Sequence, residues 1–123
     1  MALNSKAAER YLIRGWSSSP TISIADHMRV GVGQTTLPTF TTLNLDTEVA
    51  GVDVTTTSIV FNTSGLEVAV SFNITKLQAN GNTLNGIKTQ DASGNSHSVN
   101  KIIDINKTSS LGLTIVKRER YVN

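Results

Sequence analysis

Leu66-Glu67-Val68-Ala69-Val70-Ser71-Phe72-Asn73-Ile74 alternates without a break. Leu66, Val68, Val70, Phe72 and Ile74 fall on one side, and Glu67, Ala69, Ser71 and Asn73 on the other. A period of two sustained over this length marks a strand with one buried and one wet face. Phe72 is assigned to the core, and Phe61 is a further core candidate. Between Ile59 and Val116 the chain reads as four amphipathic strand candidates joined by polar turns, which sets the fold class as all-β.

Working outward, Val52–Thr57 and Ile59–Asn62 precede this strand, closed by the turn signal Asn62-Thr63-Ser64-Gly65. Gln78-Ala79-Asn80-Gly81-Asn82 follows it, and Asn-Gly favours a tight turn because both residues tolerate positive φ. Leu84–Gln90 is a weaker strand. Asp91-Ala92-Ser93-Gly94-Asn95 turns the chain into a strand from about Ser98 to Ile105, and Asn106–Ser110 turns it into Leu111–Val116. Upstream, Thr21–Ile24 and Met28–Val32 are short strand candidates. Gly33–Thr42 is an extended loop around Pro38, long enough to reach a neighbour. Leu45–Ala50 is expected to form a single helical turn. Asn4 or Ser5 caps a short helix through about Arg14, with Gly15 as its stop. A helix of about ten residues is marginal alone in water, so it must dock on its own sheet or on another subunit.

Strands at this spacing predict an antiparallel β-sandwich or a partly open barrel, with a short N-terminal helix. The 123 residues are expected to form a single domain, 1–123, with 1–16 as an N-terminal helical arm. Thr, Ser and Asn account for 40 residues, a composition that disfavours long helices. No apolar run approaches the ~20 residues of a membrane span, and Met1–Lys6 lacks the layout of a secretory signal. The expectation is therefore a soluble protein that is not secreted. The three Asn-x-Ser/Thr triplets, starting at Asn62, Asn73 and Asn106, are read as chance. Cysteine is absent, which excludes disulfides, zinc-thiolate sites and thiol nucleophiles.

Charge is uneven. Residues 30–75 contain no Lys or Arg and carry four acids, whereas residues 76–123 carry seven basic and three acidic groups. Basic ends around an acidic middle suit charge-complementary contact with copies of the chain or with a neighbouring protein. Lys117-Arg118-x-Arg120-Tyr121 is a short basic cluster with an aromatic beside it, but one such cluster without a nucleic-acid motif reads as a solvated strand end.

Chemistry-bearing clusters are sparse. His27 and His97 are the only histidines, and Ser96 or Ser98 beside His97 points to the opposite face of an extended segment. Asp91-x-Ser93-x-Asn95 imitates the opening of a calcium loop. The imitation stops there, because Ser96 replaces the required glycine and Ile102 the bidentate glutamate. Gly31-Val32-Gly33 lacks the third glycine and following helix of a dinucleotide loop and fits a close backbone approach instead. No catalytic, cofactor or metal residues are assigned, and an enzyme is not expected.

Val30-Gly31-Val32-Gly33-Gln34-Thr35-Thr36 with Pro38, followed by Leu43, Leu45-Asp46-Thr47-Glu48-Val49, resembles a group of small tailed-phage virion proteins. The likeness continues through Ala79-Asn80-Gly81, Leu84 to Ile87, Asp91-Ala92-Ser93-Gly94 and Lys107-Thr108-Ser109-Ser110-Leu111. It spans residues 27 to 122. Asn85 stands where the group usually carries an acidic residue, and Lys88-Thr89 replaces an apolar-aromatic pair. The resemblance implies a virion structural protein, tail- or fibre-associated, with a capsid decoration protein as the alternative. It also implies partners among copies of itself and other virion proteins, and synthesis in the host cytoplasm. It carries over no active-site residue. The rival of another class is a carbohydrate- or ligand-binding β-sandwich, for which Trp16, two Tyr and three Phe offer few stacking candidates.

Overall fold

The computed structural model describes residues 25–39, 41–62 and 67–120. The expected N-terminal helix, the arm 1–16 and the Thr21–Ile24 strand lie outside these residues. Six strands are present: β1 (His27–Val32), β2 (Val54–Asn62), β3 (Glu67–Ile74), β4 (Asn82–Gln90), β5 (Ser96–Lys107) and β6 (Leu113–Arg120). They form one antiparallel sheet ordered β5-β4-β1-β2-β3-β6. The sheet curls into a half-barrel. Of the two layouts the sequence allows, the partly open barrel is the one observed, and no helix occurs among the described residues.

The curl has a local cause. Register breaks fall at Gly31/Val32, Thr56/Ser58, Leu84/Gly86 and Thr89/Gln90. An unmatched residue in one strand bends it and raises the right-handed twist. The curvature brings the side chains of β5 and β6, the two edges of the sheet, into contact across the opening: His97 of β5 meets Glu119 of β6.

The concave face holds the core. Met28 and Val30 of β1 pack with Val52, Val54, Phe72, Ile74, Leu84 and Ile87, and Ile102, Leu113 and Ile115 close in from the sides. Phe72 and Ile74 are there because directly paired residues share a face: Phe72 pairs with Ile115 and Ile74 with Leu113. Phe61 belongs to the same face by register, since it pairs with Val68, yet it is 75% exposed. The outer end of the β2–β3 hairpin leaves it bare, so its assignment to the core is corrected.

The convex face of β1 and β4 is covered as well. Residues 33–39 and 41–48 fold back over it as a strap, and Leu45 is buried against Gly31 and Gly86. Residues 47–49 then run beside β1: Val32 N donates to Thr47 O at 3.0 Å, Val49 N to Val30 O at 2.9 Å, and Gly31 bridges Glu48. The helical turn expected over Leu45–Ala50 is therefore absent. Its backbone groups find partners on β1, which outweighs the local helix-start signal of Asp46 and Glu48.

Close approach fixes two glycines. A methyl group on Gly31 would lie 2.9 Å from Thr47 O, a backbone atom, whereas one on Gly86 would lie 2.8 Å from Cδ2 of Leu45, the end of a side chain. Backbone yields less readily than a rotamer. Gly31→Ala is expected to destabilise the protein by about 1–3 kcal/mol, and Gly86→Ala by less. Urea unfolding of both variants checks the order, and an equal or inverted cost would contradict the backbone argument.

Candidate functional site

Among the described residues, three groups of polar side chains join separate segments of the sheet. The first is the strap. Gln34 is fully buried; its N–H donates to Asn85 Oδ1 at 2.9 Å, its Nε2 to Thr36 O at 2.8 Å, and its Oε1 accepts from Asp46 N at 3.0 Å. Asp46 Oδ2 in turn accepts from the N–H groups of Thr35 and Thr36, each at 3.0 Å. The Thr36 N–H, with burial opposing and Thr35 assisting, holds the Asp46 carboxyl below the usual aspartate range. Two residues twelve positions apart thus close the loop onto itself and onto β4.

The second is an ion cluster at the start of β1. His27 Nδ1 lies 3.0 Å from Asp53 Oδ1, and its Nε2 lies 3.6 Å from Asp26. Arg29 lies 3.7 Å from Asp53 and 4.0 Å from Glu48, and donates to Val52 O. These contacts tie β1 to the 50–53 turn that leads into β2.

The third is the β5–β6 junction. Lys117 and Glu119 pair with Val70 and Val68 and so point into the concavity. His97 Nε2 lies 3.0 Å from both Glu119 oxygens, and Lys117 Nζ donates to Asn100 Oδ1. Nearby on the same face, the buried Thr89 and Ser98 hydroxyls are 2.6 Å apart. Burial pushes the Glu119 carboxyl up, but the His97 hydrogen bond and the charges of His97 and Lys117 outweigh it, and the net shift is downward. For Lys117 burial is the larger effect and lowers its pKa against the pull of Glu119.

The residues singled out in the sequence take their places around these groups. His27 on β1 and His97 on β5 lie at the same end of the sheet with β4 between them, each against carboxylates. The Asp91-x-Ser93-x-Asn95 turn uses its carboxylate internally: Asp91 Oδ1 accepts from Ser93 N at 3.0 Å and Asn95 N at 2.8 Å. Lys117 and Arg118 point to opposite faces, and Arg118 lies 3.0 Å from Glu67, so they do not form one basic surface. The Arg120 side chain and Tyr121 lie outside the described residues. Among the described residues no group of three or more His, Cys, Asp or Glu side chains could hold a metal ion, and no helix is long and apolar enough to cross a membrane.

The Gln34–Asp46–Asn85 strap was not visible as a unit in the sequence. Its only signal is the motif resemblance, which groups these residues without showing their contacts. The buried Lys107 was also missed; it donates to Asn80 Oδ1 at 2.7 Å and Thr108 O at 3.0 Å, while Gly81 N donates to Lys107 O.

Asn85→Ala leaves the Gln34 N–H without its acceptor and is expected to cost about 1–2 kcal/mol. Asn85→Asp keeps an acceptor oxygen in place and is expected to stay close to wild type by thermal unfolding. Asp46 and Glu119 both titrate lower in the folded chain than in the unfolded one. Their contribution is therefore complete above the ordinary carboxyl values of about 4 and is lost as pH falls through the depressed folded values. Glu119→Gln is expected to lower stability near neutrality and to flatten its decline below about pH 4. An unchanged acid limb in urea titrations would contradict the assignment. Set against protein-family models, curated proteins and solved structures, the chain matches none.

Proposed function

We propose that this chain is a structural subunit of a tailed-bacteriophage particle, tail- or fibre-associated, which associates with itself and docks on other particle proteins. The observation that carries the reading is how the motif residues shared with small virion proteins are used. Gly31, Gln34, Leu45 and Asp46 join the two halves of the first motif, with Asn85 and Gly86 beneath them. Lys107 and Asn80 join the Lys-Thr/Ser and Asn-Gly segments in the same way. Gln34, Asp46 and Lys107 are engaged with the chain's own backbone or amides.

Such a motif serves a rigid scaffold, and what the scaffold offers to other molecules is its surface. Phe61, Leu77 and Ile103 stand out as large exposed apolar residues on three separate elements.

Quantitative mass spectrometry of purified particles, referenced to the major capsid protein, tests the proposal. A few to a few tens of copies is the expected result. Hundreds in fixed ratio to the capsid subunit would instead make the chain a decoration protein. Absence from the particle would overturn the virion reading and favour a ligand-binding role.

A further inference from the structure

We propose that Asn80 is a self-modification site, where the side-chain amide is converted to an aspartate whose carboxylate pairs with the buried ammonium of Lys107.

Lys107 ends β5 and is 1% exposed. Its Nζ donates to Asn80 Oδ1 at 2.7 Å and to Thr108 O at 3.0 Å, and both acceptors are neutral. Among the described residues no carboxylate forms an ion pair with it. A buried cation held by neutral oxygens alone keeps part of its desolvation cost, which a carboxylate in the place of one of them offsets. Asn80 already occupies that place. Exchanging its amide nitrogen for oxygen turns the existing contact into an ion pair. The exchange gives up the bond from Asn80 Nδ2 to Lys76 O, in an exposed turn where water takes over.

The chain and solvent supply every atom of the reaction. The backbone nitrogen of Gly81 loses its proton to a solvent base and bonds to Asn80 Cγ. Ammonia leaves, and a five-membered imide closes. Water then breaks the new Cγ–N bond, which restores the backbone and leaves aspartate. Glycine suits the attack because no Cβ crowds its nitrogen. Lys107 Nζ sits on Oδ1, the oxygen where negative charge develops, and a donor placed there stabilises the transition state.

Asn85-Gly86 is a second pair of the same sequence, and the fold sets it apart. Gly86 lies within β4, paired with Gly31 on one side and Lys101 on the other, and Leu45 covers it. Asn85 Oδ1 accepts from the N–H of the buried Gln34. Gly81 N donates to Lys107 O at 2.9 Å in an exposed turn. Freeing it opens one turn bond rather than a strand held on both sides.

Peptide mapping by mass spectrometry tests the site, on the folded chain and on the chain in urea, both at mildly alkaline pH. In the folded chain Asn80 is expected to show the one-dalton gain of amide-to-acid exchange at least tenfold faster than Asn85. In urea the two should convert alike. Asn80→Asp is expected to unfold at a higher temperature than wild type. A carboxylate paired with a cation titrates below its ordinary value of about 4, so the gain is complete above that pH and fades below it. An Asn80 amide that survives in the folded chain while it converts in urea would overturn the reaction. Equal conversion of Asn80 and Asn85 in the folded chain would overturn the selection by the fold. An Asn80→Asp chain no more stable than wild type would overturn the ion pair. A lasting loss of ammonia with the Asn80 and Lys107 peptides joined would make Lys107 the attacking amine and overturn the aspartate product.

Discussion

Strand β1 has no free side. β4 bonds to one of its edges, and residues 47–49 with the start of β2 bond to the other. Met28 and Val30 face the core, while Gly31 lies under Leu45. Every other element is placed by this strand. The concave face needs the curled sheet to enclose it, and the convex face needs the strap. Only a residue without Cβ lets the strap come close enough to bond to β1's backbone. Through Gln34 and Leu45 the strap therefore covers the sheet's own centre.

What the sequence made legible follows from how many faces each strand buries. β3 buries one, and its alternation announced it. β4 looked weaker because residues 86 to 90 are buried on both sides, and a doubly covered strand loses the period-two pattern. The Leu45–Ala50 segment misled because its local propensity is helical, while the deciding bonds come from residues 30 and 32. Such long-range rescue of backbone groups leaves no periodic trace. Phe61 misled for the opposite reason. Alternation identified its face correctly, but a face is a core only where another layer covers it.

The β5–β6 junction shows the limit of hydrophobic patterning. Leu113 and Ile115 continue into Lys117 and Glu119 on the same concave face. An amphipathic reading ends at the lysine, although the strand runs on to Arg120. Glu119 is acceptable there because His97 and Lys117 accompany it, and Asn100 Oδ1 accepts a hydrogen bond from Lys117. A buried charge without such company would cost several kcal/mol. The cluster is thus a polar core joining edges that share no backbone bonds.

The same logic applies to the strap. An aspartate that accepts two backbone N–H groups is stabilised as the anion, which makes it a weak base near neutrality. Asp46 is suited to holding a loop rather than to moving protons. Asn85 makes the point from the other direction. Its side chain is a neutral amide, and its oxygen accepts the Gln34 N–H. What this position must supply is an acceptor oxygen in the right place, a geometric rather than an electrostatic requirement. The polar residues of the strap are a set of internal fastenings.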